Sequence, residues 1–370
     1  MRYLLTGGGT AGHINPALAI ADTIKANDAE AVIAYVGTPN GMENGLVGRE
    51  GYKMYHVDVK GFRRSLSPKN IRAAWLALTS PFRAERIIDD FKPDFVIGTG
   101  GYVSWPVLVA AHRKKIPCAV HEANAVPGVT VARLEKYVDR VFLNFEETSK
   151  RLKCPEKHMH VGCPLRGGFS SKESNGDFTV PENTRAYVFC YGGSLGADRI
   201  NDAMLEMFIS ADTRLSDTAF CLSTGDRNYV EFKTRYSEAG LCDNKNIEVL
   251  SYIYDMPARM AAADVVICRS GAITLSELAL LGKCAILIPS PNVTNDQQYK
   301  NAKLLADKEA AVLIREKDLT AERLADEIAA LICDSEKMER IRKNIRAFAG
   351  ADSNKRIYNE MLRLIKKNKQ

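Results

Sequence analysis

Short apolar and β-branched runs alternate with helix-length amphipathic stretches along the whole chain. The first part holds RYLLTG, AVIAYVG, MYHVDV, DFVIGTG, CAVHEA and RVFLN, and the second holds AYVFCYGG, AFCLSTG, IEVLSY, DVVICRSG, CAILIPSP and AAVLIRE. Helical periodicity lies between them, for example over 16–26, 258–263 and 321–332, and this alternation predicts parallel sheets with helices on both faces. The pattern restarts after a stretch rich in Gly, Pro and Ser, from GCPLRGGFSS through SNGD to PENT, which neither period claims. The expected fold is α/β, with two Rossmann-like doubly wound domains: 1–164, then 165–345, then a terminal helix over 346–370. That last segment, KMERIRKNIRAFAG and NKRIYNEMLRLIKKNK, is helical by its apolar spacing and ends in a solvated basic tail.

Length agrees, since 370 residues exceed one ordinary domain of roughly 150. Lys+Arg 51 against Asp+Glu 45 leaves only +6, whereas a nucleic-acid partner would call for stronger and more widespread basicity. No apolar run approaches the ~18 residues of a spanning helix, and the start MRYLLTGGGTAGH is too short in apolar residues for a signal peptide, so a cytoplasmic chain is expected. The nine cysteines are odd in number and form no C-x-x-C; Cys118, Cys190, Cys268 and Cys284 sit in strand-like runs and read as reduced core residues.

GGGTAGH follows the first strand, and Gly7, Gly9 and Gly12 satisfy G-x-G-x-x-G. A dinucleotide site also needs an acid at the end of the second strand, where this chain has Val36-Gly37-Thr38. A nicotinamide dehydrogenase is therefore disfavoured. The loop can still bring backbone N–H groups to an anion at a helix N-terminus, or be a tight turn with no ligand. YGGSLGADR at 191–199 repeats the arrangement, and Ser194 there is either a phosphate donor or a turn residue. These loops, GTGGY at 98–102, HEAN at 121–124 and CRSG at 268–271 all fall at carboxyl ends of strands, where open α/β sheets bind ligands, so an interdomain cleft is expected. In CRSGAITLSELALLG, Thr274 to Glu277 fits a capping box; alternatively, the N–H groups of residues 272–276 bind a pyrophosphate while Glu277 accepts both hydroxyls of a ribose.

Seven segments, GGGTAGHINPALAIA, GTGGYVSWPVLVAA, HEANAVPG, GCPLR, YGGSLGADRIN, CRSGAITLSE and NDQQYKNA, in this order over most of the chain, together resemble the MurG family of membrane-surface N-acetylglucosaminyltransferases. The resemblance implies the GT-B architecture, a C-terminal domain that binds UDP-GlcNAc, an N-terminal domain that binds lipid I, and a terminal helix, fitted by the segment around 354–366, that crosses back to the first domain. It places the uracil and ribose against Ile253 and Glu277, and the diphosphate against Ser194 and Ala272, Ile273, Thr274, Leu275 and Ser276. It places the sugar against Gln297 and Gln298, with Arg166 as a further donor-binding group. On the opposite, acceptor-side wall, Thr10, Ala11 and Gly12 match the loop that meets the donor, and Asn124 matches a sugar-contacting asparagine. Ala11 stands where the family often has Gly, and HEAN replaces the common HEQN; the first matters only if residue 11 needs positive φ.

The implied reaction is inverting transfer of GlcNAc to the 4-hydroxyl of MurNAc in lipid I, giving lipid II. Oriented N–H groups can take up the leaving charge, and no D-x-D at a strand end or His/Asp cluster suggests a metal, so no cofactor is expected. The proton acceptor is expected to be His13, with His121 and Glu122 next, each with a structural hydrogen-bonding role as its alternative. Lys60, Arg63, Arg64, Lys69, Arg72, Arg83 and Arg86 face one acid, Glu85, and interleave with Ile71, Trp75, Leu76, Leu78 and Phe82. This suits either an anionic inner-membrane surface, placing the protein on the cytoplasmic face, or a core-packed helix with a charged face. Other readings within the same fold are a lipid glycosyltransferase and a UDP-GlcNAc 2-epimerase, and outside it a non-catalytic nucleotide-binding module.

Overall fold

The computed structural model describes residues 1–60, 69–167, 169, 178–193, 195–350 and 352–370, and the side chains of 69–74 and 77 are not among those described. Ser194, Arg63, Arg64 and the linker residues 168 and 170–177 therefore lie outside the described residues, as do the side chains of Lys69, Ile71 and Arg72. The chain forms two compact units, Met1–Arg166 with Gly350–Gln370, and Gly167–Ala349. The divisions fall after Arg166 and Ala349.

The first unit runs β1 (Arg2–Thr6), α1 (Ala11–Asn27), β2 (Val32–Gly37), α2 (Glu43–Arg49), β3 (Lys53–His56), α3 (Lys69–Phe91), β4 (Phe95–Gly98), α4 (Ser104–Arg113), β5 (Cys118–Glu122), α5 (Val129–Leu134), β6 (Arg140–Leu143) and β7 (His158–His160). Its strands make one parallel sheet in the order β3-β2-β1-β4-β5-β6-β7. Successive residues of a strand point to opposite faces. Thus Tyr3 and Leu5 join one core with Ile14, Leu18 and Ile24 of α1, whereas Leu4 joins the other with Ala84 and Ile88 of α3 and Val107 and Leu108 of α4.

The second unit runs β8 (Ala186–Tyr191), α6 (Asp198–Ser210), β9 (Thr218–Ser223), α7 (Asp226–Glu238), β10 (Ile247–Leu250), α8 (Met256–Ala262), β11 (Val265–Cys268), α9 (Ala272–Leu281), β12 (Cys284–Leu287), α10 (Gln297–Ala306), β13 (Val312–Leu313), α11 (Ala321–Ile332) and α12 (Ser335–Arg346). Its parallel sheet has the order β10-β9-β8-β11-β12-β13. Strand order reverses between β1 and β4 in one unit and between β8 and β11 in the other. The loops at those carboxyl ends are where an open α/β sheet leaves room for a ligand.

The last helix, α13 (Ser353–Asn368), belongs to the first unit. Ile357, Met361, Leu364 and Ile365 recur at helical spacing and bury themselves in the core that holds α1. Arg140 donates to Glu360 at 2.7 Å, and the Asn354 side chain exchanges hydrogen bonds with the Leu165 backbone at 3.1 and 2.9 Å, so the start and the middle of the helix are tied. Cys118, Cys190, Cys268 and Cys284 are buried free thiols, as expected for core residues.

Two local expectations are corrected. Helix α1 starts at Ala11 instead of residue 16, because glycine and threonine carry no apolar period and its N-cap, Thr10, makes no side-chain cap bond. In α9 the N-cap is Gly271, so Thr274 lies inside the first turn and the Thr274–Glu277 pair does not form a capping box.

Candidate active site

In the first unit, the loop after β1 packs against the loop after β4. The His13 ring lies so near Gly100 that a Cβ there would come within 2.5 Å of Nδ1, and Gly100 has φ +109, a conformation L side chains rarely adopt. Nδ1 of His13 is 3.0 Å from the Thr99 carbonyl, and the Thr99 hydroxyl donates to the His13 carbonyl at 2.5 Å. A carbonyl can only accept, so Nδ1 carries the proton and Nε2 keeps its lone pair. Burial lowers the His13 pKa below the ordinary imidazole value, opposed by the Thr99 bond, so the ring is neutral near pH 7. A neutral imidazole with an open Nε2 is equipped to accept a proton. Thr10, Ala11 and Gly12 beside it are exposed, and Ala11 lies within α1 without positive φ, so alanine there is unstrained.

Glu122 is buried at the end of β5, and its carboxylate is fully engaged. Oε1 accepts the Asn124 N–H at 2.9 Å and the Asn124 side-chain amide at 3.0 Å, and Oε2 accepts the Gly128 N–H at 2.7 Å. This arrangement makes Glu122 the organiser of the 122–128 loop and the holder of Asn124. His121 is also buried, with Nε2 donating to the Gly162 carbonyl at 2.9 Å; burial above all pushes its pKa down to about 4. It is neutral, and Nδ1 is a buried acceptor without a partner among the described residues.

Arg166 ends the first unit. Its Nε donates to Asp22 at 2.8 Å and its Nη1 to Glu50 at 2.7 Å, so the expected donor-binding guanidinium is held by two carboxylates of α1 and the end of α2.

In the second unit, β11 runs through Arg269, Ser270 and Gly271 straight into α9. The Leu275 N–H already bonds the Gly271 carbonyl at 3.0 Å, and the Ser276 hydroxyl turns back to the Ala272 carbonyl at 3.0 Å. The amides ahead of the helical ladder are therefore those of Ala272, Ile273 and Thr274, a narrower anion site than the expected 272–276. Glu277 lies one turn further along α9, and burial alone raises its pKa to about 7. A carboxyl without charge partners or donors among the described residues is what a ligand diol could satisfy. Ile253 is buried after β10, between Tyr252 and the 92% exposed Tyr254, whose rings are 5.0 Å apart. Gln297 opens α10, and Gln298 uses its side-chain oxygen to accept the Ser290 N–H at 2.8 Å, leaving its amide N–H groups for other partners.

The structure thus gathers Thr10 to His13 with Glu122 and Asn124 on one carboxyl edge, and Ile253, residues 272–277 and Gln298 on the other. Sequence reasoning passed over Tyr35, Glu43 and Thr99, which brace the glycine loop across 28, 34 and 86 residues of chain. No metal-ligand cluster of three or more His, Cys, Asp or Glu occurs among the described residues.

Comparison with known proteins accounts for both edges together. Residues 3–143 match the glycosyltransferase family 28 N-terminal domain, and residues 187–357 match the glycosyltransferase family 28 C-terminal domain. A UDP-N-acetylglucosamine--N-acetylmuramyl-(pentapeptide) pyrophosphoryl-undecaprenol N-acetylglucosamine transferase of Acetivibrio thermocellus is 42% identical, covering 100% of this chain and 99% of the relative. One of the same name from Caldanaerobacter subterraneus is 39% identical over 97% of this chain and 98% of its own. The crystal structure of Acinetobacter baumannii MurG superposes with a TM-score of 0.78 at 26% identity, covering 98% of this chain and 99% of that one. Matched in both halves and aligned end to end with such relatives, the chain belongs to glycosyltransferase family 28 and, within it, to the MurG family of N-acetylglucosamine transferases.

Proposed function

We propose that the protein moves GlcNAc from UDP-GlcNAc to the C4 hydroxyl of MurNAc in lipid I with inversion, forming lipid II. The observation that carries this reading is the 42% identity across both units to a relative named for that transfer. The second unit takes the donor: Glu277 accepts the ribose hydroxyls, Ile253 lies against the uracil, the amides of residues 272–274 meet the diphosphate, and Gln297 and Gln298 meet the sugar. The first unit takes lipid I; in it the loop of Thr10, Ala11 and Gly12 meets the donor and Asn124 its sugar. Nε2 of His13 accepts the proton of the attacking hydroxyl as its oxygen bonds to the anomeric carbon. The bond from that carbon to the diphosphate breaks, and UDP leaves with its growing charge facing the N-terminus of α9. Arg166 joins the donor in this reading only by leaving Asp22 and Glu50.

Lipid I is held in a bilayer, and the reading places the protein peripherally on the cytoplasmic face of the membrane. Trp75, Leu78 and Phe82 on α3 are 57%, 73% and 58% exposed, and the Arg113 guanidinium lies 5.0 Å from the Phe82 ring centre. Apolar side chains raised beside cations suit an anionic lipid surface. Leu76 is not part of this patch, since it packs inward. No helix among the described residues is long and apolar enough to cross a membrane.

The test is turnover of UDP-GlcNAc with a lipid I analogue, watching UDP release and the disaccharide product together. Glu277→Ala is expected to weaken donor binding and His13→Ala to lower kcat. A wild-type protein inert toward that pair, yet active on UDP-GlcNAc alone or on another lipid, would move the assignment to an epimerase or a lipid glycosyltransferase.

A further inference from the structure

Three successive residues of the glycine loop are each held by a different element. The Tyr35 hydroxyl donates to the Gly7 carbonyl at 2.7 Å, the Gly8 N–H donates to the Gly100 carbonyl at 3.3 Å, and the Gly9 N–H donates to Oε2 of Glu43 at 3.3 Å. Glu43 is the first residue of α2 and is fully buried. Its other oxygen, Oε1, accepts both the Thr38 N–H at 2.8 Å and the Thr38 hydroxyl at 2.7 Å. Three glycines make room for this one carboxylate. A Cβ on Gly8 would stand 2.8 Å from Oε1, one on Gly37 would stand 2.6 Å from Cγ, and one on Gly41 would overlap the carboxylate itself. Burial pushes the Glu43 acid up, but the donated bonds from Thr38 and Gly9 outweigh it and hold the group below the usual carboxylate range.

We infer that Glu43 is a positioning residue for the acceptor-side loop, its buried carboxylate fixing Gly9 and thereby the placement of Thr10 to His13. The inference rests on the proposed role of that loop toward lipid I. Every group facing the carboxylate is a donor, which suits an acceptor-only side chain. A glutamine has the same size but must turn its NH2 toward Thr38 or toward Gly9, setting donor against donor. Thr38 supplies two donors and Gly9 one, so the amide faces Gly9 and that anchor is lost while the cradle stays filled. The loop then shifts where it meets the acceptor, whereas nothing in the donor-binding unit changes. Small displacements of a reacting group are costly in rate, since effective concentration depends steeply on geometry.

The experiment compares steady-state constants for Glu43→Gln with wild type, varying the lipid I analogue and UDP-GlcNAc separately and measuring UDP affinity directly. The expected result is a loss of about tenfold or more in kcat/KM for the acceptor, with UDP affinity within about twofold of wild type. Gly8→Ala, which presses a methyl against the same carboxylate, is expected to give the same split. Should Glu43→Gln fail to fold, Thr38→Val removes one of the Oε1 anchors and serves in its place, with the same split expected. Unchanged acceptor constants with only a lower Tm, or equal losses in UDP affinity and acceptor kcat/KM, would make Glu43 a fold residue and overturn the inference. A wild-type protein inert toward lipid I analogue would instead overturn the functional reading on which it rests.

Discussion

At the scale of single residues, Glu277 and His13 carry the clearest pH consequences. Burial raises the folded Glu277 pKa to about 7 from the ordinary 4.5, so ionising it opposes folding: the penalty is absent below the unfolded value, grows between 4.5 and 7, and is complete above 7. Glu277→Gln should therefore stabilise the ligand-free protein at pH 8, by at most about 3 kcal/mol, with little effect at pH 4.5, as thermal melts at the two pH values would show. If the ionised carboxylate receives a ribose diol, UDP affinity should rise about tenfold from pH 6 to pH 8 in wild type and stay flat in the glutamine variant. Equal pH dependence in both proteins by calorimetry would remove Glu277 from the donor site. His13 differs in sign, because burial lowers its pKa and the free base is present throughout the neutral range. Rate should therefore be level from pH 7 to 8 and decline only below the ordinary histidine value, and His13→Ala should cost about a hundredfold or more in kcat. Both residues were visible as candidates in the sequence because each ends or follows a glycine-marked strand turn. Glu43 and Thr99 were invisible, since their bonds join positions 34 and 86 residues apart and no local pattern announces them.

At the scale of elements, buried parallel strands read as apolar runs, and twelve such runs were found where strands β1 to β6 and β8 to β13 stand. The one missed among the described residues was β7, whose three residues, His-Met-His, hold a single apolar side chain and pair with β6 at the sheet edge. The start of α1 was missed because its first residues, Ala11, Gly12 and His13, carry no apolar period and its cap, Thr10, makes no side-chain bond. A Thr-x-x-Glu spacing misled in α9, because the same residue types occur within a helix that glycine already starts. Helix α3 shows how far periodicity reaches. It predicts an apolar stripe but not which part is covered, and only the fold separates inward Leu76 from outward Trp75, Leu78 and Phe82. Replacing Trp75 and Phe82 by Ser should leave the melting temperature within a few degrees and weaken co-sedimentation with anionic vesicles. Binding equal to wild type would assign the patch another role. Loss of binding to neutral and anionic vesicles alike would mean that the apolar side chains matter and the neighbouring arginines do not.

At the scale of the whole molecule, the first unit is discontinuous: its sheet is complete by residue 160, yet its core is closed by a helix that follows the entire second unit. Apolar spacing marked that terminal helix but states only that a face is buried and not against which partner; its return to the first domain was expected from the resemblance alone. The structure answers through Ile357, Met361, Leu364 and Ile365, each contributing about 1.5 to 3 kcal/mol of apolar burial in the unit that begins at Met1. Cavity formation at the fully buried Met361 should make Met361→Ala cost about 2 to 5 kcal/mol. That loss belongs to the first unit, although residue 361 is nearer in sequence to the second. Ligand then separates the two: UDP raises the stability of whatever unit binds it, by an amount set by its concentration over Kd. In Met361→Ala, a calorimetric scan should show the transition that UDP does not shift moving to lower temperature, while the UDP-shifted transition keeps its wild-type response. A variant in which the UDP-shifted transition falls instead would place the terminal helix in the wrong core, or the donor in the wrong unit, and UDP affinity measured below both transitions would say which.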